Sequence, residues 1–154
     1  MLENLDVIKV CGLAVELTNS QTENNQIIQK HWINFNNVLK SNNLTQSFNW
    51  VKYGITFKVG EKYFYMSAIP FVENGGILIP FEIPQSDFYK FTHQGNLALL
   101  KQTFWSIYKE KVPSLGLTIA SNFSNGIIHF EKYDYRFKWN DSNSIIDIYL
   151  PVKL

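Results

Sequence analysis

The sequence predicts an α+β fold in which two strand-helix-strand-strand repeats form one antiparallel sheet. Both helices are expected on one face of the sheet, with a central ligand groove between the halves. The prediction rests on β-prone stretches, on two amphipathic stretches with helical spacing, and on the same element order either side of Asn74-Gly75-Gly76. With 154 residues, 45% of them apolar, the chain can bury one core of its own.

The first half begins with a strand and a helix. Residues 7–17 are mostly apolar and β-prone, which predicts a strand, and residues 19–25 are expected to form a polar loop. From Ile27 onward the apolar residues recur at helical spacing, which predicts an amphipathic helix ending at residues 41–43. Its apolar positions are Ile28, Trp32, Phe35 and Leu39.

Two strands are expected to complete the first half. Residues 51–57 show the alternation of a strand, residues 59–62 predict a turn, and residues 63–71 predict the returning strand. Trp32 and Trp50 are expected in the core.

The second half repeats this order. Residues 76–91 are strand-like, and Pro80 and Pro84 within them indicate an edge strand or a bulge. Asn96 can cap a helix running to about Val112. Residues 127–137 and 145–152 predict two strands, joined by a turn at 139–143. The apolar stripe of this helix is Leu97, Leu100, Phe104, Ile107 and Tyr108.

Corresponding residues in the two halves indicate an internal duplication. Tyr53 and Tyr133 occupy matching places, and so do Pro70 and Pro151 at the ends of the last strands. We therefore expect a single domain over residues 1–154, with pseudo-repeats at about 5–72 and 77–154.

Charge and composition restrict the class of function. Lys and Arg total 14 against 13 Asp and Glu, and the only arginine is Arg136, so a nucleic-acid partner is not expected. Cys11 is the single cysteine, which excludes an intrachain disulfide. No secretion signal or membrane-spanning stretch is visible, so we expect a cytoplasmic protein without a membrane partner, as a monomer or weak dimer. The 16% aromatic content indicates a hydrophobic binding site.

The last two strands carry the strongest candidate site. Residues two apart on a strand share a face, so Glu131 points with Tyr133, and Asp147 points with Tyr149. A hairpin could place all four side chains together, which would suit an amphiphilic organic cation. The alternative is a solvated strand face whose acids pair with lysines, and the sequence favours neither.

Other aromatic residues could line the same site. Trp105 lies beside the apolar stripe of the second helix, as a pocket wall or as a packed edge residue, and Tyr53 could complete a ring of aromatics. No catalytic motif is present, and the histidines and Cys11 show no metal-ligand spacing, so neither a cofactor nor a metal is expected. Cys11 itself is expected to be a buried small hydrophobe.

Several motifs resemble the GyrI-like domain, the effector-binding domain of AraC-type regulators. The resemblance is closest over residues 83–153 and looser over the first half. Its pieces are Ile83-Pro84, the segment 89–95, Thr103-Phe104, Ile107-Tyr108, the segment 130–134 and the segment 148–152, with Tyr53-Gly54-Ile55 and Phe64-Tyr65 in the first half.

The resemblance implies a fold of paired repeats around a groove that binds hydrophobic, often cationic compounds, including drugs. It implies that Glu131 is the buried cation partner, with Asp147 and Tyr149 contributing. Our candidate ligand-binding residues are Glu131, Tyr133, Asp147, Tyr149, Trp105, Tyr53 and Tyr108. The repeats use nearly the whole chain, so we expect a stand-alone binding version without a helix-turn-helix.

Three functions follow from these observations. The leading hypothesis is non-catalytic binding of amphiphilic aromatic cations. The second is a hydrolase that opens strained rings of toxic electrophiles, because some stand-alone GyrI-like proteins are similar to such hydrolases; Glu131 would then orient or activate water. The third, a module that binds gyrase as the family name suggests, finds no acidic tract or exposed hydrophobic helix in the sequence to favour it.

Overall fold

The computed structural model describes residues 1–45 and 51–154, so the prediction for Trp50 lies outside the described residues. Within these ranges nine strands form one sheet, in which every pairing is antiparallel, and the predicted α+β class is confirmed. The strands are β1 (Leu2–Leu5), β2 (Ile8–Glu16), β3 (Lys52–Val59), β4 (Lys62–Pro70), β5 (Ile79–Ile83), β6 (Ser86–Gln94), β7 (Thr118–Ile119), β8 (Ile127–Tyr133) and β9 (Ile145–Lys153).

The first helix, α1 (Gln21–Ser41), begins earlier than predicted. Ser20 is its N-cap and accepts a hydrogen bond from the backbone N–H of Glu23 at 3.3 Å. The side chain of Asn24 accepts the backbone N–H of Thr18 at 2.7 Å, which ties the first turn to the end of β2. The expected loop at residues 19–25 is therefore helical from Gln21, because local capping outweighs its polar composition.

The second helical segment starts where Asn96 predicts it, since the Asn96 side chain accepts the Ala98 N–H at 2.8 Å. A 3₁₀ turn (Leu97–Leu99) leads into α2 (Leu100–Ser106). The segment continues as a π-helical turn (Ile107–Lys111) and ends with one α-turn (Val112–Ser114). Among the described residues, no helix has the length and apolar character needed to cross a membrane.

The sheet curls on itself because the strands at the two ends of its order are continuous in the chain with strands inside it. The strand order is β1-β6-β9-β8-β3-β4-β2-β5, with β7 beside β9. The chain runs from β1 directly into β2 and from β5 into β6, and the pairing Leu5↔Ser86 continues in the same register as Ile8↔Ile83. Pro84 lies at the bend between β5 and β6, and Pro80 lies in β5 at the end of this order.

The curled sheet has an inner face and an outer face. The inner face holds a core of Val10, Tyr53, Ile55, Phe57, Met66, Ala68, Ile83, Phe88, Ile127, Phe130 and Tyr149. The outer face is covered by α1, which packs on Cys11 and Ile69, and by the second helical segment, which packs on Phe91 and Ile148. Cross-strand pairing puts these residues on one face, so both helices lie on the same side, as predicted. Cys11 is buried, as expected.

Strand β8 ends at Tyr133, short of the predicted end at residue 137. The carboxylate of Asp134 accepts the backbone N–H of Arg136 at 2.9 Å and turns the chain away from the sheet. The loop that joins β8 to β9 is therefore longer than the predicted turn at 139–143.

A buried glutamate between the two helices

Strand β8 carries three polar side chains along the outer face, and they lie under different helices. His129 contacts Phe104 of α2, with ring centroids 4.6 Å apart. Tyr133 contacts Trp32 of α1 at 5.4 Å. Glu131 lies between these two residues on the strand. It therefore lies between the parts of the strand that the two helices cover, a place we call the helix seam (Trp32, Phe104, His129, Glu131 and Tyr133).

Two tyrosine hydroxyls hold Glu131. Tyr133 donates to Oε1 at 2.5 Å, and Tyr65 of β4 donates to the same oxygen at 3.0 Å. Trp32 Nε1 in turn donates to the Tyr65 hydroxyl at 3.0 Å. Glu131 as a whole is only 4% exposed. The site is thus a buried acid bonded to tyrosines of β4 and β8, with Trp32 of α1 packed against both tyrosine rings.

Burial dominates the electrostatics of this acid. Desolvation raises the pKa of Glu131 to about 7, although the hydrogen bonds from Tyr133 and Tyr65 oppose the rise. Desolvation also raises the pKa values of Tyr65 and Tyr133 well above the ordinary value, and the Glu131 charge adds to both. The tyrosines therefore remain hydrogen-bond donors, and Glu131 can gain or lose a proton near neutral pH.

Gly54 makes room for this arrangement. It lies directly opposite Glu131 in the register of β3 and β8. A Cβ at this position would lie 2.0 Å from the Tyr65 hydroxyl oxygen and 2.8 Å from Glu131 Oε1. Only glycine leaves space for the phenol to reach the carboxylate across the strand.

The side of the seam under the second helical segment is less polar. Tyr108 Oη and His129 Nδ1 share a hydrogen bond of 2.7 Å. Desolvation lowers the pKa of His129 to about 4, so the ring is neutral at physiological pH. This half of the seam presents a neutral imidazole and a phenol, and the negative charge is concentrated at Glu131.

A cleft of about 160 Å³ lies between α1, the start of the second helical segment and the β8–β9 loop. Gln29 of α1 forms one wall, and Leu97 and Ala98 form another. Trp139 of the β8–β9 loop also lines the cleft and is 72% exposed. Phe137 of the same loop packs edge-on against Tyr133 at 5.1 Å, so this loop links the cleft to the residues around Glu131.

The structure separates Glu131 and Tyr133 from Asp147 and Tyr149. Glu131 pairs with Ile148, whereas Asp147 pairs with Lys132. Directly opposed residues share a face, so this register places Asp147 and Tyr149 on the inner face and Glu131 on the outer face. The expectation that a hairpin places all four side chains together is wrong, because the register of β8 and β9 is shifted by one residue from the register that would put them on one face.

Asp147 has a different partner from those considered in the sequence analysis. Arg136 is hydrogen-bonded to Asp147 and also forms an ion pair with Asp134 at 2.9 Å. The two carboxylates raise the pKa of Arg136, and the Arg136 hydrogen bond lowers the pKa of Asp134. The single arginine therefore fixes the β8–β9 loop to β9.

The remaining candidates are distributed over three places. Tyr53 and Tyr149 lie on the inner face, where both pack on Phe130, with Tyr149 stacked at 4.7 Å. Trp105 is 60% exposed on α2 and does not wall the Glu131 site. Tyr108 lies on the outer face, bonded to His129. Of the seven candidates, Glu131, Tyr133 and Tyr108 lie at or beside the helix seam.

Sequence reasoning missed Tyr65 and the role of Trp32, which was expected only in the core. The glycine within an otherwise regular strand at position 54 was the available signal, because such a glycine often marks a close approach by another group. Among residues 1–45 and 51–154, no three His, Cys, Asp or Glu side chains are grouped so as to hold a metal ion.

Comparison with known proteins identifies a family. A family model described as Cass2, integron-associated effector binding protein, matches residues 1–152. The transcriptional regulator BrlR of Pseudomonas aeruginosa is 30% identical over 76 residues, or 49% of this chain. That match spans only 26% of BrlR.

Solved structures share the fold. SAV2435, determined bound to tetraphenylphosphonium, superposes with a TM-score of 0.76 at 17% identity, over 99% of this chain and 93% of its own. An integron cassette protein of Vibrio cholerae superposes with a TM-score of 0.65 at 13% identity, over 99% and 95% of the two chains. At these identities the likeness establishes the architecture.

Proposed function

The chain belongs to the family of integron-associated effector binding proteins, and on that premise we propose that it binds amphiphilic aromatic cations at the helix seam. The observation that carries the proposal is the buried Glu131, which accepts hydrogen bonds from Tyr65 and Tyr133, with Trp32 in contact with both tyrosines.

The aromatic residues and the acid act on different parts of such a ligand. Aromatic faces attract a cation by roughly 0.5 to 2 kcal/mol each and also bury the apolar body of the ligand. A carboxylate about 4 Å from the cation adds about 4 kcal/mol at an effective dielectric near 20, before the cost of desolvation. Desolvation already disfavours the charged form of Glu131 in the empty site, as its raised pKa shows. A cationic ligand would therefore stabilise a carboxylate that has lost most of its hydration and has no other cation beside it to balance its charge among the contacts of the described residues.

Glu131 is buried in the seam, so binding of a ligand beside it requires the surrounding rings to move. The cleft beside Trp139 offers the route, because the loop that carries Trp139 also carries Phe137, which touches Tyr133. SAV2435 has the same architecture and holds tetraphenylphosphonium, which is a cation of the proposed class.

A titration with matched probes tests this function. Methyltriphenylphosphonium and triphenylphosphine oxide have similar shapes, but only the first is charged. We expect the cation to quench tryptophan fluorescence at micromolar concentration and Glu131→Gln to weaken its binding about tenfold, the scale of one lost charge-assisted contact. Equal binding of the neutral probe to both proteins would show that charge has no part in recognition.

One observation keeps the ring-opening hydrolase as a second candidate. A carboxyl group with a pKa of about 7 can exchange protons at neutral pH, as a general acid or base must. Mass analysis of a reactive cyclopropane-bearing compound after incubation distinguishes the two functions. Turnover that Glu131→Gln abolishes would support the enzyme, whereas an unchanged compound supports the binder.

A further inference from the structure

Ser67 carries a hydroxyl group that the fold leaves without a partner. Its side chain is completely buried, and within residues 1–45 and 51–154 its Oγ makes no hydrogen bond. Buried hydroxyls in native proteins are normally paired, so each exception needs an explanation. One such explanation is a hydroxyl whose hydrogen-bond partner is a group on a ligand.

The position of Ser67 connects it with Glu131. Ser67 lies directly opposite Gly54, and Gly54 lies directly opposite Glu131. The three residues thus form a row across β4, β3 and β8 on the outer face. Neighbouring strands are about 4.8 Å apart, so the backbones at Ser67 and Glu131 are separated by about 10 Å.

The middle of this row has no side chain of its own. The tip of Tyr65 covers Gly54, with the hydroxyl oxygen 2.0 Å from the place of a Cβ. Trp32 and Glu131 hold that hydroxyl by hydrogen bonds. If the Tyr65 ring turns aside, the backbone of Gly54 becomes the floor of a slot with Glu131 at one end and Ser67 at the other.

We propose that this slot binds a flat aromatic cation that carries an N–H substituent, and that Ser67 accepts the hydrogen bond from that substituent. Glu131 neutralises the charge, and the flat floor at Gly54 admits a planar ring system. The inference rests on the proposed function and adds a class of substrate to it: planar amino-substituted cations in preference to bulky cations without N–H groups.

Three cationic probes separate the parts of this proposal. Proflavine and 10-methylacridinium share a flat three-ring frame, but only proflavine carries amino groups; tetraphenylphosphonium is bulky and has no N–H group. We expect Ser67→Ala to weaken the binding of proflavine about fivefold, which corresponds to the loss of one neutral hydrogen bond. The affinities for 10-methylacridinium and tetraphenylphosphonium should change by less than about twofold.

A matched serine controls for effects on folding. Ser144 is equally buried, but its Oγ accepts the backbone N–H of Lys138 at 2.9 Å. Ser144→Ala should lower the thermal unfolding midpoint, whereas Ser67→Ala should leave it unchanged or raise it, because no bond is lost. An equal drop for Ser67→Ala would reveal a structural role for its hydroxyl and overturn the inference.

Failure of the inference and failure of the proposed function give different results. Suppose that wild-type protein binds tetraphenylphosphonium, but Ser67→Ala leaves the affinity for proflavine unchanged or lowers the affinities for proflavine and 10-methylacridinium equally. The proposed role of Ser67 is then wrong, and cation binding stands. If wild-type protein binds none of the three cations, the proposed function and the inference are both wrong.

Discussion

The hydroxyl of Tyr65 lies over the backbone of Gly54, 2.0 Å from where a Cβ would be. We expect Gly54→Ala to push the Tyr65 ring away from Glu131 and to destabilise the protein by about 1–3 kcal/mol, the usual range for overpacking. Chemical denaturation measures the loss. The control is Gly54→Ala in a Tyr65→Leu background, where the phenol is absent and the loss should be much smaller. The same loss in both backgrounds would contradict the steric argument.

The raised pKa of Glu131 makes stability depend on pH. The folded protein holds this proton up to about pH 7, whereas the unfolded chain releases it near the ordinary value of 4.5. The contribution of Glu131 is thus fully present below pH 4.5 and is lost as pH rises through 7, by up to about 3 kcal/mol.

The measurement is the difference in unfolding free energy between wild type and Glu131→Gln from pH 4 to pH 9. Wild type should lose stability relative to the variant as pH rises. His129, whose lowered pKa acts in the opposite direction, is present in both proteins and cancels. A flat difference would show that Glu131 has the same pKa in the folded and the unfolded chain.

Cation affinity should rise with pH for the same reason. A cation favours the ionised carboxylate, so binding lowers the pKa of Glu131 and releases its proton. We expect tetraphenylphosphonium to bind several times more tightly at pH 8 than at pH 6, and Glu131→Gln to abolish this dependence. Calorimetry in buffers of different ionisation enthalpy counts the protons released. A dependence that persists in Glu131→Gln would assign it to another group.

Tyr133 makes the shorter of the two hydrogen bonds to Glu131, at 2.5 Å. Because this bond favours the ionised acid, Tyr133→Phe should raise the pKa of Glu131 further and destabilise the protein at pH 8 by about 1–3 kcal/mol. The loss should be smaller at pH 5, where the acid is protonated. Tyr63→Phe is the matched control, since Tyr63 is 42% exposed, and it should change stability little at either pH. An equal loss at both pH values would argue against the charge-assisted bond.

Asp147 provides a test of which face binds the ligand. It is buried on the inner face and bonded to Arg136, so Asp147→Asn should destabilise the protein by about 1–3 kcal/mol. Its affinity for tetraphenylphosphonium should stay within about twofold of wild type, whereas Glu131→Gln loses about tenfold. Comparable losses of affinity in the two variants would place the ligand where both acids can reach it.

The periodicity of the chain, together with its glycines, prolines and helix caps, was sufficient to predict the α+β class and both helices on one face, and it placed Glu131 and Asp147 among the candidate acids. These features are local: side chains alternate along a strand, apolar residues repeat along a helix, and Asn96 caps its own segment. The family resemblance at residues 130–134 singled out Glu131 from these acids and implied its role as the partner of a cation.

The tertiary structure decided which side chains meet. The one-residue register between β8 and β9 sends Asp147 and Tyr149 to the inner face, and no pattern within either strand encodes that register. Tyr65 reaches Glu131 from β4 because the strands of both halves are neighbours in the sheet and Gly54 leaves the space between them, and Trp32 of α1 holds the Tyr65 hydroxyl. The sequence of a strand determines which of its own residues share a face. Only the pairing of strands that are distant in the chain determines which residues of different strands lie on the same face.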